Sequence, residues 1–200
     1  LQIQYTSGTT GAPKGAMLTH HSTINNARMM SARAGFDASD RLLSAMPFFH
    51  TAGCVCNVMG MLVQGGCLIT MPAFDAGRML DLLERYRATV INAVPTMYIR
   101  MLEDEDFRAG NRDVSSLRIA FTGGTSIPPS MLRELKEKIG ADPMVIMGMT
   151  ECSPIITQTV ASDDFEVKIT TAGVPLPHTE IMITDVESGK PVAFGQPGEL

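Results

Sequence analysis

The stretch YTSGTTGAPKG, residues 5–15, concentrates three glycines, four hydroxyl side chains and one lysine in eleven residues. Glycines such as Gly8 and Gly11 allow successive backbone N–H groups to point towards one spot, and such a concavity suits an anion. Lys14 adds a positive charge, and further hydrogen-bond donors come from the hydroxyls of Thr6, Ser7, Thr9 and Thr10. A surface turn could have a similar composition, but a lysine flanked by glycines favours a loop that holds a polyphosphate.

This loop differs from the P-loop of kinases and GTPases. In the P-loop pattern the lysine is followed by serine or threonine, whereas Gly15 follows Lys14 in this chain. The sequence therefore favours another class of nucleotide-binding protein.

A second stretch with chemical potential is MGMTE, residues 147–151. A carboxylate beside a bound polyphosphate must share a cation with it, and Mg²⁺ is commonly held by one or two carboxylates together with phosphate oxygens. Glu151 is therefore the predicted metal ligand, and the Thr150 hydroxyl could donate to the same phosphate. Taken alone, Thr-Glu after a strand is also an ordinary helix start.

Two further loops carry less specific signals. PFFHTAG, residues 47–53, places His50 just before a helix, where a histidine more often packs or caps than takes part in catalysis. FTGGTSIP, residues 121–128, contains the pair Gly123-Gly124, which permits close approach by a flat ring or simply forms a strand-to-helix turn.

Hydrophobic periodicity predicts alternating strands and helices. The predicted strands are residues 1–6, 15–20, 41–47, 67–71, 89–94, 117–122, 143–149 and 180–185. Helices are expected at residues 21–34, 51–64, after an Asp75 N-cap, at 95–102, and from Pro128-Pro129 to Gly140. This alternation predicts an α/β fold with a mostly parallel sheet and flanking helices.

In folds of this class, ligands bind at the loops that leave the carboxyl ends of the strands. The four stretches with chemical potential, residues 6–15, 47–53, 122–125 and 148–152, all come directly after predicted strands. We therefore expect them to meet in one site.

Composition excludes several classes of protein. The chain has 44% hydrophobic residues and a net charge of −5, so it can form a core but has no basic surface for nucleic acid or an anionic membrane. Its four cysteines, including the pair Cys54 and Cys56, fit neither a disulfide framework nor a zinc site. With no signal peptide or transmembrane segment in the sequence, a cytoplasmic protein is expected.

Five motifs together resemble the adenylate-forming enzymes, which include acyl-CoA synthetases, aryl ligases, luciferase-like enzymes and adenylation domains. In order, these motifs are YTSGTTGAPKGAMLTH, PFFHTAG, FTGGTSIP, MGMTECSP and AGVPLPHTEIMITD…GQPGEL. The resemblance covers essentially the whole chain. It implies that residues 1–200 form the central part of a large N-terminal AMP-binding domain, without the small C-terminal domain, and that the chain alone is inactive.

The resemblance also implies a reaction. A carboxylate attacks the α-phosphate of ATP to give an acyl-adenylate and pyrophosphate, and the thiol of CoA then displaces AMP. The loop that would hold the pyrophosphate comprises Thr6, Ser7, Gly8, Thr9, Thr10, Gly11 and Lys14.

The other predicted roles concern the nucleotide and the acid. Thr150 would contact the α-phosphate and Glu151 the Mg²⁺, and His50 would lie near the carboxylate and the thiol entrance. Gly123, Gly124 and Thr125 would line the adenine or the acyl pocket. Met147, with Gly148 next to it, stands where the family commonly has an aromatic residue that stacks on adenine.

The acid substrate is inferred from the residues that come after His50. Members that activate amino acids commonly have an aspartate there, whereas HTAGCVCNVMGML has only neutral polar groups. A fatty acid is therefore expected, with an aryl or luciferin-type acid, or a non-catalytic nucleotide-binding module, as the alternatives. Exposed strand edges would favour association into a homodimer.

Overall fold

The computed structural model describes residues 2–6 and 11–200. Its strands are β1 (Gln2–Thr6), β2 (Lys14–Leu18), β3 (Arg41–Ser44), β4 (Cys67–Thr70), β5 (Val90–Asn92), β6 (Ile119–Gly123), β7 (Asp142–Gly148), β8 (Ile155–Gln158) and β9 (Val174–Pro175). Its α-helices are α1 (His20–Arg33), α2 (Gly60–Gln64), α3 (Ala76–Tyr86), α4 (Pro95–Glu103), α5 (Glu105–Arg108), α6 (Pro129–Ile139) and α7 (Phe165–Thr170). A π-helix spans Ala52–Met59, and a 3₁₀ turn spans Thr150–Cys152.

Seven strands form one sheet in the order β4-β3-β5-β6-β7-β8-β9. The first five run parallel, and β8 and β9 are antiparallel additions at one side. The predicted α/β fold with a mostly parallel sheet and flanking helices is thus confirmed. The carboxyl ends of β3, β5, β6 and β7 lie along one edge, which we call the carboxyl edge.

The sheet is covered on both faces because its central strands are apolar on both sides. On one face, Ala120 of β6 and Val145 of β7 pack with residues of α3, α4 and α6. On the other, Phe121 and Ile146 pack with residues of α1 and the π-helix. Alternation along each strand therefore decides which face of the carboxyl edge a side chain reaches.

The N-terminal strands depart from the predicted arrangement. β1 and β2 pair with each other as an antiparallel hairpin outside the large sheet. A parallel connection needs a dozen or more residues, and the link between these two strands is only residues 7–13. The stretch between β1 and β2 thus joins two antiparallel strands, whereas we expected it to follow a strand of the parallel sheet.

Other local predictions had mixed outcomes. Asp75 caps α3 by accepting from the Arg78 N–H at 2.8 Å, and Gly140 ends α6 with a φ of +81°. The predicted strand at residues 180–185 is wrong, because only Thr184 forms isolated bridges there. The predicted helix at 51–64 begins as a π-helix, whose longer hydrogen-bonded ring changes the facing of later residues and leaves Leu62 exposed.

The opposite, amino edge of the sheet is held by one buried carboxylate. Asp40 accepts from Arg118 Nε at 2.9 Å, from Thr89 Oγ1 at 2.6 Å and from the Asp37 N–H at 2.9 Å, and a second Arg118 nitrogen also donates to it. These contacts tie the segments preceding β3, β5 and β6 together. Burial opposes ionisation of Asp40, but the hydrogen bonds from Arg118, Thr89 and Asp37 hold its pKa below the usual value.

Candidate active site

A cavity of about 620 Å³ lies at the carboxyl edge, on the face covered by α1 and the π-helix. Its volume is within the range typical of small-molecule sites. All four stretches singled out in the sequence contribute to it, and the predicted residues among its lining are Thr6, Lys14, His50, Gly123, Gly124, Gly148, Thr150 and Glu151. The structure therefore brings these residues together from separate parts of the chain.

Hairpin pairing places Thr6 and Lys14 directly opposite each other at the base of the Gly-rich loop. The Thr6 hydroxyl donates to the Lys14 carbonyl at 3.4 Å. Gly11 is exposed with a φ of +89°, a conformation that glycine adopts without strain, and it does not line the cavity. Ser7, Gly8, Thr9 and Thr10 lie outside the described residues.

Two glutamines fix the hairpin beside the cavity. Gln2 and Gln4 each donate a side-chain N–H to the Cys54 sulfur, at 3.2 and 3.3 Å, and Gln4 is buried. β2 also packs against the 3₁₀ turn that carries Glu151. The apolar residues of β1 alternate, but Ile3 and Tyr5 are exposed and Gln4 is buried instead, and nothing in the sequence indicated Cys54 as the partner of the glutamines.

The turn that carries Thr150 and Glu151 depends on Gly148. A Cβ on Gly148 would lie 2.1 Å from the Pro154 carbonyl oxygen, a distance at which no side chain fits. The turn closes when the Met149 N–H donates to that same carbonyl at 3.0 Å. Glycine is thus required here by close approach of two backbone segments.

Helix α1 anchors the same turn. Asn26, which is buried, donates to the Ile155 carbonyl at 2.8 Å and accepts from the Ile155 N–H at 3.1 Å. Ser153 donates to Ser22 at 3.0 Å. These positioning residues were missed by sequence reasoning, since an asparagine in a polar helix such as α1 gives no signal of a distant partner.

His50 lines the cavity between β3 and the π-helix. Its Nδ1 accepts from the Ala52 N–H at 3.1 Å, which leaves Nε2 as the donor of the neutral ring.

Ser44 and Tyr98 stabilise the carboxyl edge of the sheet by hydrogen bonds to its strands. Ser44 donates to the Asn92 carbonyl at 2.7 Å, and Tyr98 donates to carbonyls of β5 and β6. Burial raises the pKa of the Tyr98 phenol well above its usual value, so it remains a donor.

Thr125 and Met147 lie in a second cavity, of about 450 Å³, that adjoins the first through Gly124, Ile146 and Gly148. Strand alternation explains the division, because Met147 shares the face of Val145 whereas Gly148 shares that of Ile146. Gly123 lines the larger cavity, and its Cβ side is filled by β7, since an added Cβ would lie 2.4 Å from the Ile146 carbonyl oxygen. An added Cβ on Gly124 would meet no atom within 4 Å, so a flat group could lie against bare backbone there.

Lys14 and Glu151 supply opposite charges to the lining of the larger cavity. Within residues 2–6 and 11–200, no group of three or more His, Cys, Asp or Glu side chains could hold a metal ion. One carboxylate with a neighbouring hydroxyl still fits Mg²⁺, because this ion usually keeps waters and takes its remaining ligands from substrate phosphates.

The lining also contains a thiol, Cys56, on the π-helix. Burial, and secondarily the neighbouring Cys54, raise the pKa of Cys56 to about 12. The thiol is therefore protonated at neutral pH and is a poor nucleophile.

The family model described as AMP-binding enzyme matches residues 1–200. This chain belongs to the AMP-binding enzyme family. It is 40% identical over 201 residues to YngI of Bacillus subtilis, whose assignment as an acyl-CoA synthetase is itself provisional. The rat mitochondrial medium-chain acyl-CoA ligase ACSF2 is 32% identical over 206 residues.

Solved structures in the same family share the fold. O-succinylbenzoate coenzyme A synthetase (MenE) from Bacillus subtilis, in complex with ATP and magnesium ion, superposes with a TM-score of 0.84 at 31% identity, over 98% of this chain and 39% of MenE. The alignments with YngI and ACSF2 cover 100% of this chain but only 36% and 33% of those proteins. The chain thus spans about a third of the length of the curated relatives it matches.

None of the helices in the described part of the chain is long and apolar enough to cross a membrane.

Proposed function

We propose that the chain is the central part of the large N-terminal domain of a fatty acid–CoA ligase that uses ATP and Mg²⁺. The observation that carries this proposal is the convergence of Thr6, Lys14, His50, Thr150 and Glu151 on one cavity. Membership of the AMP-binding enzyme family supports it, as does the similarity to acyl-CoA ligases.

In the first step, a carboxylate oxygen of the acid attacks the α-phosphorus of ATP, and the bond to the bridging oxygen breaks to release pyrophosphate. Charge gathers on the departing phosphates, where the Lys14 ammonium and the hydroxyl-rich loop, including Thr6, Ser7, Thr9 and Thr10, neutralise it. Thr150 donates to the α-phosphate. Catalysis of this kind requires positioning and charge stabilisation but no nucleophilic side chain.

Glu151 is proposed to hold Mg²⁺ together with phosphate oxygens. When bound, the ion supplies positive charge that screens the phosphates from the attacking carboxylate. Met147, Gly123, Gly124 and Thr125 would hold adenine across the boundary between the two cavities, where a thioether can pack against the face of a ring.

In the second step, the CoA sulfur attacks the acyl carbonyl carbon and its thiol proton passes to solvent; the bond from that carbon to the phosphate oxygen then breaks, and AMP departs. His50 is proposed to lie beside this centre, with Nε2 as its donor. Cys56 also lines the cavity, but its raised pKa keeps it from competing with CoA for the acyl group.

All four cysteines are free thiols, which fits a reducing compartment. We propose that the protein is located in the cytoplasm.

The acid is proposed to be a fatty acid because the lining contributed by the π-helix, by residues 92–94 and by the apolar residues of β7 and β8 carries no charge; it includes Cys56, Asn92, Ala93, Val94, Ile146 and Ile155. A charged tail would lose its hydration there without a partner. The medium-chain substrate in the name of ACSF2 is consistent with this choice.

Acid-dependent exchange of labelled pyrophosphate into ATP tests the proposal on the longer protein that carries this chain. Palmitate and octanoate should support exchange, whereas benzoate and coumarate should not. Preference for benzoate or coumarate would indicate an aryl ligase, and ATP binding without exchange for any acid would indicate a non-catalytic module. Residues 1–200 alone should show negligible acyl-CoA formation, and measurable turnover by them would contradict the domain assignment.

We also propose that the longer protein forms a homodimer. Sedimentation measures its mass in solution, and a mass of two chains is expected.

A further inference from the structure

The lining of the larger cavity includes one buried asparagine, Asn92, which contacts a second, Asn57. Asn92 ends β5 and lines the cavity, although only 4% of its surface is exposed. Its neighbours in the lining include Ala93, Val94 and Cys56. A hydrocarbon chain would be accommodated better by an apolar side chain at this position, because a buried amide must find hydrogen-bond partners.

Asn57 determines how the Asn92 amide is oriented. Asn92 Nδ2 donates to Asn57 Oδ1 at 2.6 Å, and Asn57, on the π-helix, is completely buried. The Asn92 main chain is fixed as well, since its carbonyl accepts from Ser44. With Nδ2 committed to Asn57, Asn92 Oδ1 is the amide atom available to a ligand in the cavity.

The pair is incompletely satisfied. Asn57 Nδ2 has no hydrogen-bond partner among the described residues, and Asn92 Oδ1 accepts no hydrogen bond from them. The unpaired Asn57 Nδ2 is a donor on a residue that does not line the cavity, whereas Asn92 Oδ1 is an acceptor on a residue that does. A ligand that donates to Asn92 Oδ1 would supply the contact that this acceptor lacks.

We propose that Asn92, oriented by Asn57, selects acids that carry a hydroxyl group on the acyl chain. The hydroxyl donates to Asn92 Oδ1. A plain fatty acid leaves that acceptor unpaired, and a second carboxylate would face it with another acceptor. Asn92 is thus the specificity-determining residue and Asn57 a positioning residue; the inference rests on the proposed ligase function and narrows its substrate class.

A fixed acceptor predicts positional selectivity. Pyrophosphate exchange by the longer protein is measured with octanoate, with the series of monohydroxyoctanoates and with the corresponding oxo acids. We expect one hydroxy isomer to exceed octanoate about tenfold in kcat/KM, the effect of one well-placed hydrogen bond. The other isomers and the oxo acids should not show this advantage.

Substitutions separate recognition from folding. Asn92→Leu should abolish the preference and raise kcat/KM for octanoate, while KM for ATP stays close to wild type; the Tm should fall, because the buried Asn57 Oδ1 loses its donor. Asn92→Asp would set a carboxylate oxygen against Asn57 Oδ1, so the Asn57 amide must turn to present Nδ2; the second carboxylate oxygen still accepts from the hydroxyl, and the preference should remain. Asn57→Leu should reduce the preference, because Asn92 Nδ2 loses its acceptor and the amide is no longer held in one orientation. Asn25→Leu, at a half-buried position of α1 outside the lining of the larger cavity, is the matched control.

The two proposals fail in different ways. No exchange with any acid would contradict the ligase function itself. Exchange with octanoate but no favoured hydroxy isomer, or the same selectivity in Asn92→Leu, would overturn only the role of Asn92. Preference for an oxo acid would mean that the amide presents a donor, which also contradicts the proposal.

Discussion

The two edges of the parallel sheet each present a carboxylate, and these differ in almost every physical respect. Asp40 at the amino edge is 1% exposed and is fully hydrogen-bonded. Glu151 at the carboxyl edge is exposed, lines a cavity and forms no salt bridge with any described residue. One carboxylate is satisfied by the protein, and the other is open to a ligand.

This difference shows how one fold separates stability from chemistry. The amino edge joins three strands through groups whose hydrogen-bonding capacity is used within the protein. The carboxyl edge instead contains close backbone approaches, bare glycine surfaces and side chains with unused hydrogen-bonding capacity, and these are useful only when something binds. Changes at the carboxyl edge should therefore alter activity, whereas changes at the amino edge should alter stability.

The largest effect is expected for Lys14→Ala in the longer protein. Loss of one charge aimed at the departing pyrophosphate should lower the adenylation rate about 10²- to 10³-fold with little change in Tm, as for other preorganised stabilising groups. Single-turnover formation of acyl-adenylate measures the rate. Lys190→Ala, at an exposed position remote from both cavities, is the control, and an adenylation rate near wild type in Lys14→Ala would remove the phosphate role of this lysine.

The next effect concerns the turn that carries Glu151. Gly148→Ala would place a methyl group 2.1 Å from the Pro154 carbonyl oxygen, so the turn must shift and Thr150 must move with it. We expect exchange activity to fall about 100-fold, because small misplacements near the reacting atoms have effects of this size. Gly77→Ala is the matched control, since its new Cβ would be 3.5 Å from the nearest atom. Equal activity in both variants would show that the turn tolerates displacement.

Sequence reasoning recovered the features that depend on local patterns. Alternating apolar segments predicted the central strands, and Asp75 and Gly140 marked helix ends because capping chemistry involves neighbouring residues. The loops around His50, Gly123 and Glu151 could be placed together because parallel strands share a carboxyl edge, whereas the Lys14 loop joins them from a separate hairpin.

Features that depend on distant partners were not predictable. The pairs Asn57–Asn92 and Asn26–Ile155 join residues 35 and 129 positions apart, and no local pattern links them. The π-helix was also missed, because its apolar spacing resembles that of an α-helix. The hairpin β1–β2 could have been foreseen from the short connection between its strands.

The amino edge offers the complementary test. Asp40→Ala leaves Arg118 and Thr89 without their common acceptor, and the free energy of unfolding should fall by about 2–4 kcal/mol. Urea unfolding of residues 1–200 measures it. Asp113→Ala removes an exposed salt bridge with Arg87 and should change stability little. A similar small loss for both variants would contradict the structural role of Asp40.

The Asp40 carboxylate should also make the stability of the protein depend on pH. The pKa of Asp40 is lower in the folded protein than in the unfolded chain. The contribution of Asp40 to the free energy of unfolding is therefore complete above the unfolded pKa of about 3.9 and is lost as the pH falls through the folded pKa. The stability difference between wild type and Asp40→Asn should therefore be constant near neutrality and shrink in acid. A difference that stays unchanged throughout the acid range would rule out this linkage.

The smallest expected effect returns to the carboxyl edge, at Met147. This side chain is half-buried and lines the second cavity with Thr125, where the proposed adenine site needs a flat apolar contact. Met147→Tyr adds an aromatic face, and stacking on a base contributes about 1–3 kcal/mol, part of which the thioether already supplies. We expect KM for ATP to fall about threefold to tenfold with kcat nearly unchanged, whereas Met182→Tyr, at an exposed position, should leave both constants alone. Met147 and Gly148 lie on opposite faces of β7. A change in KM for the acid rather than in KM for ATP would therefore show that adenine and the acid have been assigned to the wrong cavities.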